Sequence, residues 1–147
     1  MATDPRRIGY LMRALGHEMG AVQQYLTQAS LTALWRLDEV SRRFRRDAEE
    51  ELEHAQQLIE RLLLLGVTPN GTQLSPIRTG RSLEEMLLID RELESDVIRL
   101  YEEAAHYCAR VRDGETQALF ERLLQEEMGH LRGLDQMLKD LNQGASP

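Results

Sequence analysis

Apolar residues recur along this chain at the spacing of a helix face, not at the alternation of a strand. From Ile8 the series Leu11, Met12, Leu15, Met19, Val22, Leu26 and Ala29 follows the 3.6-residue period of one helix face. Asp4 followed by Pro5 places a capping acid and a first-turn proline just ahead of it, so a first helix is predicted over about 5–35. A short link at Arg36 to Asp38 turns the chain back. A second stripe runs through Val40, Phe44, Ala48, Ala55, Leu58, Leu62 and Leu65 and stops at Gly66, predicting a helix over about 39–65. The polar stretch over about 66–81 holds Pro69, Pro76 and Gly80 and is predicted to be a connection. Ser82 with Glu85 three residues later forms a capping-box pattern. It opens a third helix, predicted over about 82–112, through Leu83, Met86, Leu87, Val97, Tyr101, Ala104 and Cys108. Asp113-Gly114 is a tight turn, and a fourth helix follows over about 114–141 through Phe120, Leu123, Leu124, Leu131, Leu134 and Leu138, with a short tail to 147. Two short links and one of about 15 residues imply two antiparallel hairpins joined by a long crossover. The expectation is an all-α four-helix bundle in a single domain.

Charge and composition narrow what such a bundle does. The net charge of −7 argues against nucleic acid, which needs a basic surface to displace counterions. The one basic run, Arg42, Arg43, Arg45 and Arg46, lies beside Asp47, Glu49 and Glu50. It is read as a solvated helix face with internal ion pairs. The single cysteine, Cys108, leaves no intrachain disulfide and no Cys-x-x-Cys knuckle. The first residues carry no apolar signal segment, and the longest apolar run, Leu62 to Val67, is far short of the roughly 18 residues of a membrane span. A soluble cytoplasmic protein is expected, with neither a membrane nor a nucleic acid as partner.

Within the apolar stripes each predicted helix carries a glutamate near its middle: Glu18, Glu51, Glu94 and Glu127. Two of them open a Glu-x-x-His pair, with His54 and His130, and residues three apart share a helix face. The spacing repeats, since 51 − 18 and 127 − 94 are both 33, and the two halves are offset by 94 − 18 = 76. One Glu-x-x-His is a weak signal; the same pair twice at a matched distance is a specific one. Four carboxylates in a dry core repel one another and each is costly to bury. Two divalent cations neutralise them, and a mixed carboxylate and imidazole set suits iron or manganese. Glu51 and Glu127 are predicted to bridge the two metals, Glu18 and Glu94 to be terminal, and His54 and His130 to bind one metal each. Glu50 or Glu53 is an alternative to Glu51, and Glu126 to Glu127. Tyr25 and Tyr101, each seven residues after a stripe glutamate, are expected to hydrogen-bond a ligand carboxylate or supply an electron. Asp90, one turn before Glu94, is expected to orient a ligand histidine. His17 and His106 are read as surface residues, and Met12, Met19, Met86, Met128, Met137 and Trp35 as packing. The sequon at Asn70 is discounted for want of a secretory context.

With these residues in place the sequence resembles the bacterioferritins of the ferritin-like superfamily. The resemblance runs from Ile8 to about Leu141 and is carried by Leu15-Gly16-His17-Glu18, Gln24-Tyr25, Glu51-Leu52-Glu53-His54-Ala55, Glu84-Glu85-Met86-Leu87, Asp90, Glu94 and Glu126-Glu127-Met128-Gly129-His130. It implies a ferritin-like bundle with two Fe per subunit (Fe2+/Fe3+), oxidising Fe(II) with O2 or H2O2. It also implies a homo-oligomer built from dimers, which the family assembles into a 24-subunit shell that stores ferric mineral.

Three departures stand out. Leu52 falls where the family's haem-ligand methionine stands, so no haem is expected in a homodimer, and a hetero-oligomer with a haem-binding subunit is an alternative. Arg46 replaces an inner-surface histidine whose acidic partner survives as Glu50, and Leu58 and Gly133 replace two aromatics near the centre. The sequence runs into a short polar tail to Pro147, and the family's fifth helix is not expected. The function expected is that of a ferroxidase for iron storage and detoxification. The alternatives are a smaller diiron oxidase or peroxidase outside a cage, and a purely structural helical assembly.

Overall fold

Why this sequence forms four long helices is visible at their ends. The computed structural model describes residues 4–70 and 73–144. The signal-segment reading at 1–3, most of the Asn70 sequon and the last residues of the tail lie outside them. The helices are α1 (Pro5–Leu34), α2 (Asp38–Leu64), α3 (Leu83–Arg110) and α4 (Gly114–Asn142). Asp4 accepts hydrogen bonds from the amides of Arg6 and Arg7 at the start of α1. Ser82 Oγ accepts from Glu85 N at α3, and Asp113 from Thr116 N at α4, so side chains satisfy amides that a helix start leaves open.

The ends of α1, α2 and α3 close alike. Gly66, Arg36 and Arg112 take the left-handed conformation, at φ 78°, 65° and 62°. The following amide returns to the carbonyl five residues back: Leu37 to Thr32, Val67 to Leu62 and Asp113 to Cys108, each at 2.9 Å. Arg112 lies 112 − 36 = 76 residues after Arg36, so the offset seen in the acids extends to the hairpin turns.

The tight pairs are α1 with α2 and α3 with α4, the two hairpins joined by the 65–82 crossover, and no strand occurs among the described residues. The apolar core divides in two. One cluster fills the end formed by Leu11 and Leu15 of α1, Leu58 and Leu62 of α2, Tyr101 of α3 and Phe120 of α4. The other fills the opposite end, around Ala29, Phe44, Met86, Leu87 and Leu134. Between them each helix contributes its middle turns, which carry the acids. Phe120 is fully buried with its ring 5.7 Å from that of Tyr101. Phe120→Ala is expected to destabilise the protein by about 3–5 kcal/mol, read as a lower urea midpoint; a loss below about 1 kcal/mol would mean that this cluster is loosely packed.

Candidate metal centre

Glu18 from α1, Glu51 and His54 from α2, Glu94 from α3, and Glu127 and His130 from α4 converge at mid-bundle. All are buried except His130, which is partly so. They form two overlapping groups, Glu18, Glu51, His54 and Glu127, and Glu51, Glu94, Glu127 and His130. Within each group the nearest ligand atoms all lie within 4.8 Å of one another. Glu51 and Glu127 belong to both. His54 Nδ1 is 2.7 Å from Glu18 Oε2, 2.9 Å from Glu127 Oε1 and 3.5 Å from Glu51 Oε1. His130 Nδ1 is 3.2 Å from Glu51 Oε1 and 3.7 Å from both Glu94 Oε1 and Glu127 Oε1. The two imidazoles stack at 6.1 Å, each turning Nδ1 towards the acids.

Without metal this centre holds protons. Burial, reinforced by the charges of neighbouring glutamates, raises the carboxyls of Glu18, Glu51 and Glu94 to about 8. Glu127 is raised for the same reasons. Burial acts against the charged form of His54, but hydrogen bonds with Glu127 and Glu18 outweigh it and raise the imidazole to about 11. His130 is raised in the same way by Glu51 and Glu94.

The protons do not satisfy every group. Glu18 Oε1, Glu51 Oε1, Glu94 Oε2, both carboxylate oxygens of Glu127 and His130 Nδ1 are buried without an aligned hydrogen-bond partner. So many unsatisfied atoms converging on one place demand a ligand. Four carboxylates, two imidazoles and no thiolate fit two divalent iron or manganese ions and balance their charge.

Around these six, Tyr25 Oη donates to Glu94 Oε1 while its ring stacks on Phe44. Tyr101 is buried near Glu18, but its hydroxyl has no aligned partner. Asp90 does not orient a histidine: it accepts from Gln28 Nε2 of α1 at 2.6 Å. A one-turn offset placed it on the inward face without revealing the α1 side chain that meets it there.

Two further expectations are overturned. Arg42, Arg43, Arg45 and Arg46 make no ion pair with Asp47, Glu49 or Glu50 among the described residues. Arginine preceding glutamate is the weaker order along a helix, Glu50 is engaged by His130, and Arg43 is drawn to Gly133. A Cβ there would lie 2.1 Å from Arg43 Nη2, so the guanidinium occupies room that only glycine leaves. His17 is not fully at the surface: it is half-buried on α1 beside Leu93 of α3, and burial lowers its pKa. His106 is exposed.

Glu53 is exposed and joins neither group. Glu50 and Glu126 are absent from both groups as well, but each reaches a histidine from outside. Glu50 Oε2 pairs with His130 Nε2, and Glu126 Oε2 lies 2.7 Å from His54 Nε2. Asp47 joins Glu50 and His130 in a third cluster, where burial raises it to about 6. The sequence reading missed this cross-pairing, although 126 − 50 is again 76. A cleft of about 680 Å³ between α1, the crossover and α3, lined by Met12, His17, Pro76 and Asp96, contains none of the six.

The ferritin-like domain family matches residues 8–144. The chain is 36% identical to a bacterioferritin of Rhodobacter capsulatus over 135 residues, covering 92% of this chain and 84% of that one. It is 33% identical to a Brucella melitensis bacterioferritin, with 94% and 86% covered, and 32% identical to a Synechocystis bacterial ferritin, with 94% and 89% covered. A solved structure of the Rhodobacter capsulatus bacterioferritin superposes with a TM-score of 0.94 at 34% identity, over 97% of this chain and 89% of that one. That structure is described as having a metal-free dinuclear site and a haem iron in a crystallographic special position.

Proposed function

Because the chain belongs to the bacterioferritins, within the ferritin-like domain family, we propose that it stores iron and that its mid-bundle centre is a ferroxidase taking two iron ions. The observation that carries this reading is the set of buried, unpartnered carboxylate oxygens divided between two groups that share Glu51 and Glu127. In this reading Glu51 and Glu127, common to both groups, would be the bridging ligands, Glu18 and Glu94 would be terminal, and His54 and His130 would each give Nδ1 to one metal. Iron bound there supplies electrons to O2 or H2O2.

The protein's own part is to arrange and to shield. Apolar clusters on either side exclude water, and the hydroxyl of Tyr25 fixes one Glu94 oxygen and leaves the other free. Carboxyls raised to about 8 release their protons as cations replace them. Tyr25, hydrogen-bonded to Glu94, and Tyr101, buried near Glu18, are the phenols that would supply an electron.

Haem is not expected in a homodimer of this chain. Leu52 is 53% exposed on α2 and offers no thioether, and Met19 is only partly buried on α1. A hetero-oligomer whose other subunit supplies the haem ligand is the alternative. A soluble cytoplasmic protein remains the reading, and no described helix is long and apolar enough to cross a membrane.

Adding Fe(II) aerobically to the full chain, then measuring retained iron and particle size by light scattering, tests the proposal. Storage predicts a large assembly that retains far more iron than its centres hold. A small oligomer that turns iron over without retaining it favours an oxidase outside a cage, and absence of oxidation refutes the proposal.

A further inference from the structure

We propose that Glu126 and Glu50 are positioning residues, each holding the outer nitrogen of one ligand histidine so that Nδ1 faces the metal. The inference rests on the dinuclear reading of the centre and concerns two residues outside its six ligands. Glu126 comes from α4 and meets His54 of α2; Glu50 comes from α2 and meets His130 of α4. Each hairpin therefore braces the histidine of the other. Glu126 and Glu50 stand immediately before the bridging glutamates. One residue along a helix is a rotation of about 100°, so their side chains leave the inward face and flank the seam between α2 and α4.

Both carboxylates are about half exposed. They are neither core residues nor ligands, so local packing does not account for the same contact forming in both halves. The chemistry does. A neutral imidazole carries one N–H, and a carboxylate on Nε2 fixes it there, leaving the Nδ1 lone pair for a cation and locking the ring plane. The seam offers other polar contacts between the same helices, Arg122 with Gln57 and Arg61 with Thr116. Neither of those involves a residue of the centre, whereas the Glu126 and Glu50 contacts fall on its histidines.

The two sides are unequal. The His130 side chain is 12% exposed and that of His54 is 4%, and Asp47 stands beside Glu50 with no counterpart beside Glu126 among the described residues. Each variant should therefore disturb one metal position and spare the other. Titration with Co(II), which reports coordination by its visible bands and needs no oxidation, provides the test on the full chain. Glu126→Ala and Glu50→Ala are each expected to keep wild-type helicity and metal-free melting. One of the two Co(II) ions should bind about 10- to 100-fold more weakly, with the band change differing between the two variants. Glu126→Gln, whose amide oxygen still accepts from Nε2–H, should recover most of the loss. If the wild type binds two Co(II) ions and both alanine variants match it in affinity and spectrum, the positioning role is wrong while the dinuclear reading stands. If the wild type itself binds no Co(II), the dinuclear reading falls and this inference with it.

Discussion

Replacing Glu51 or Glu127 with alanine should slow Fe(II) oxidation by at least about a hundredfold while leaving the four helices intact. Loss of a partner that merely orients a ligand already costs about 10- to 100-fold, and these two residues are the ones common to both groups of the centre. Removing either takes a donor from both metal positions and leaves three carboxylates facing two dications. Glu18→Ala or Glu94→Ala should be milder, since each belongs to one group only. The fold should survive because alanine favours helix and because one of four repelling acids has gone. The metal-free Glu51→Gln variant, which deletes the charge without opening a cavity, should melt no lower than wild type at pH 8. Stopped-flow absorbance of ferric product, with circular dichroism for the helices, reads both halves of the prediction. Wild-type rates in both alanine variants would remove these residues from the chemistry.

The metal-free protein should lose stability as pH rises from about 5 to 8, and divalent metal should restore it. The carboxyls of Glu18, Glu51 and Glu94 titrate near 8 in the fold against an ordinary value of 4.5. Between those limits the folded chain holds protons that the unfolded chain has released. Their contribution is thus fully present below about 4.5 and is lost as pH climbs through 8. His54, raised from 6.5 to about 11, has the same sign: its contribution is complete below 6.5 and declines above it.

Two dications replace those protons and bind only the folded centre. At a free concentration a hundred times each dissociation constant, two sites give about 5 kcal/mol, or a rise in melting temperature of roughly 10–20 °C for a chain of this size. The rise should be larger at pH 8 than at pH 6, where protons compete. Calorimetry with and without Mn(II) at several pH values measures it. A metal-free melting temperature that climbs between pH 5 and 8, or one indifferent to metal, would contradict the charge argument.

The fold class was legible because amphipathic stripes with side-chain caps at three of the four starts leave few alternatives, and because one long link among three fixes the hairpin pairing. The left-handed turns at Arg36 and Arg112 were not legible. Arginine carries no preference for that conformation, and the returning amides of Leu37 and Asp113 impose it. At the centre, the repeat of 33 within halves and 76 between them picked out six residues, which the fold brings into contact. It did not reveal which side chain meets which across the bundle. Asp90 facing Gln28, His17 turned against α3 and Glu126 crossing to His54 are all tertiary contacts between residues that no spacing links. The expected ion pairs of the arginine run failed for a related reason: a neighbour on the same helix lost its partner to another helix.

On the proposed function, the four buried carboxylates share one interior because cations stand among them. Anomalous diffraction at the iron edge, on crystals of the full chain soaked in ferrous salt without oxygen, measures that directly. Two iron peaks are expected, one within Glu18, Glu51, His54 and Glu127 and one within Glu51, Glu94, Glu127 and His130. No peak between these side chains, or carboxylates turned outward into solvent, would contradict it.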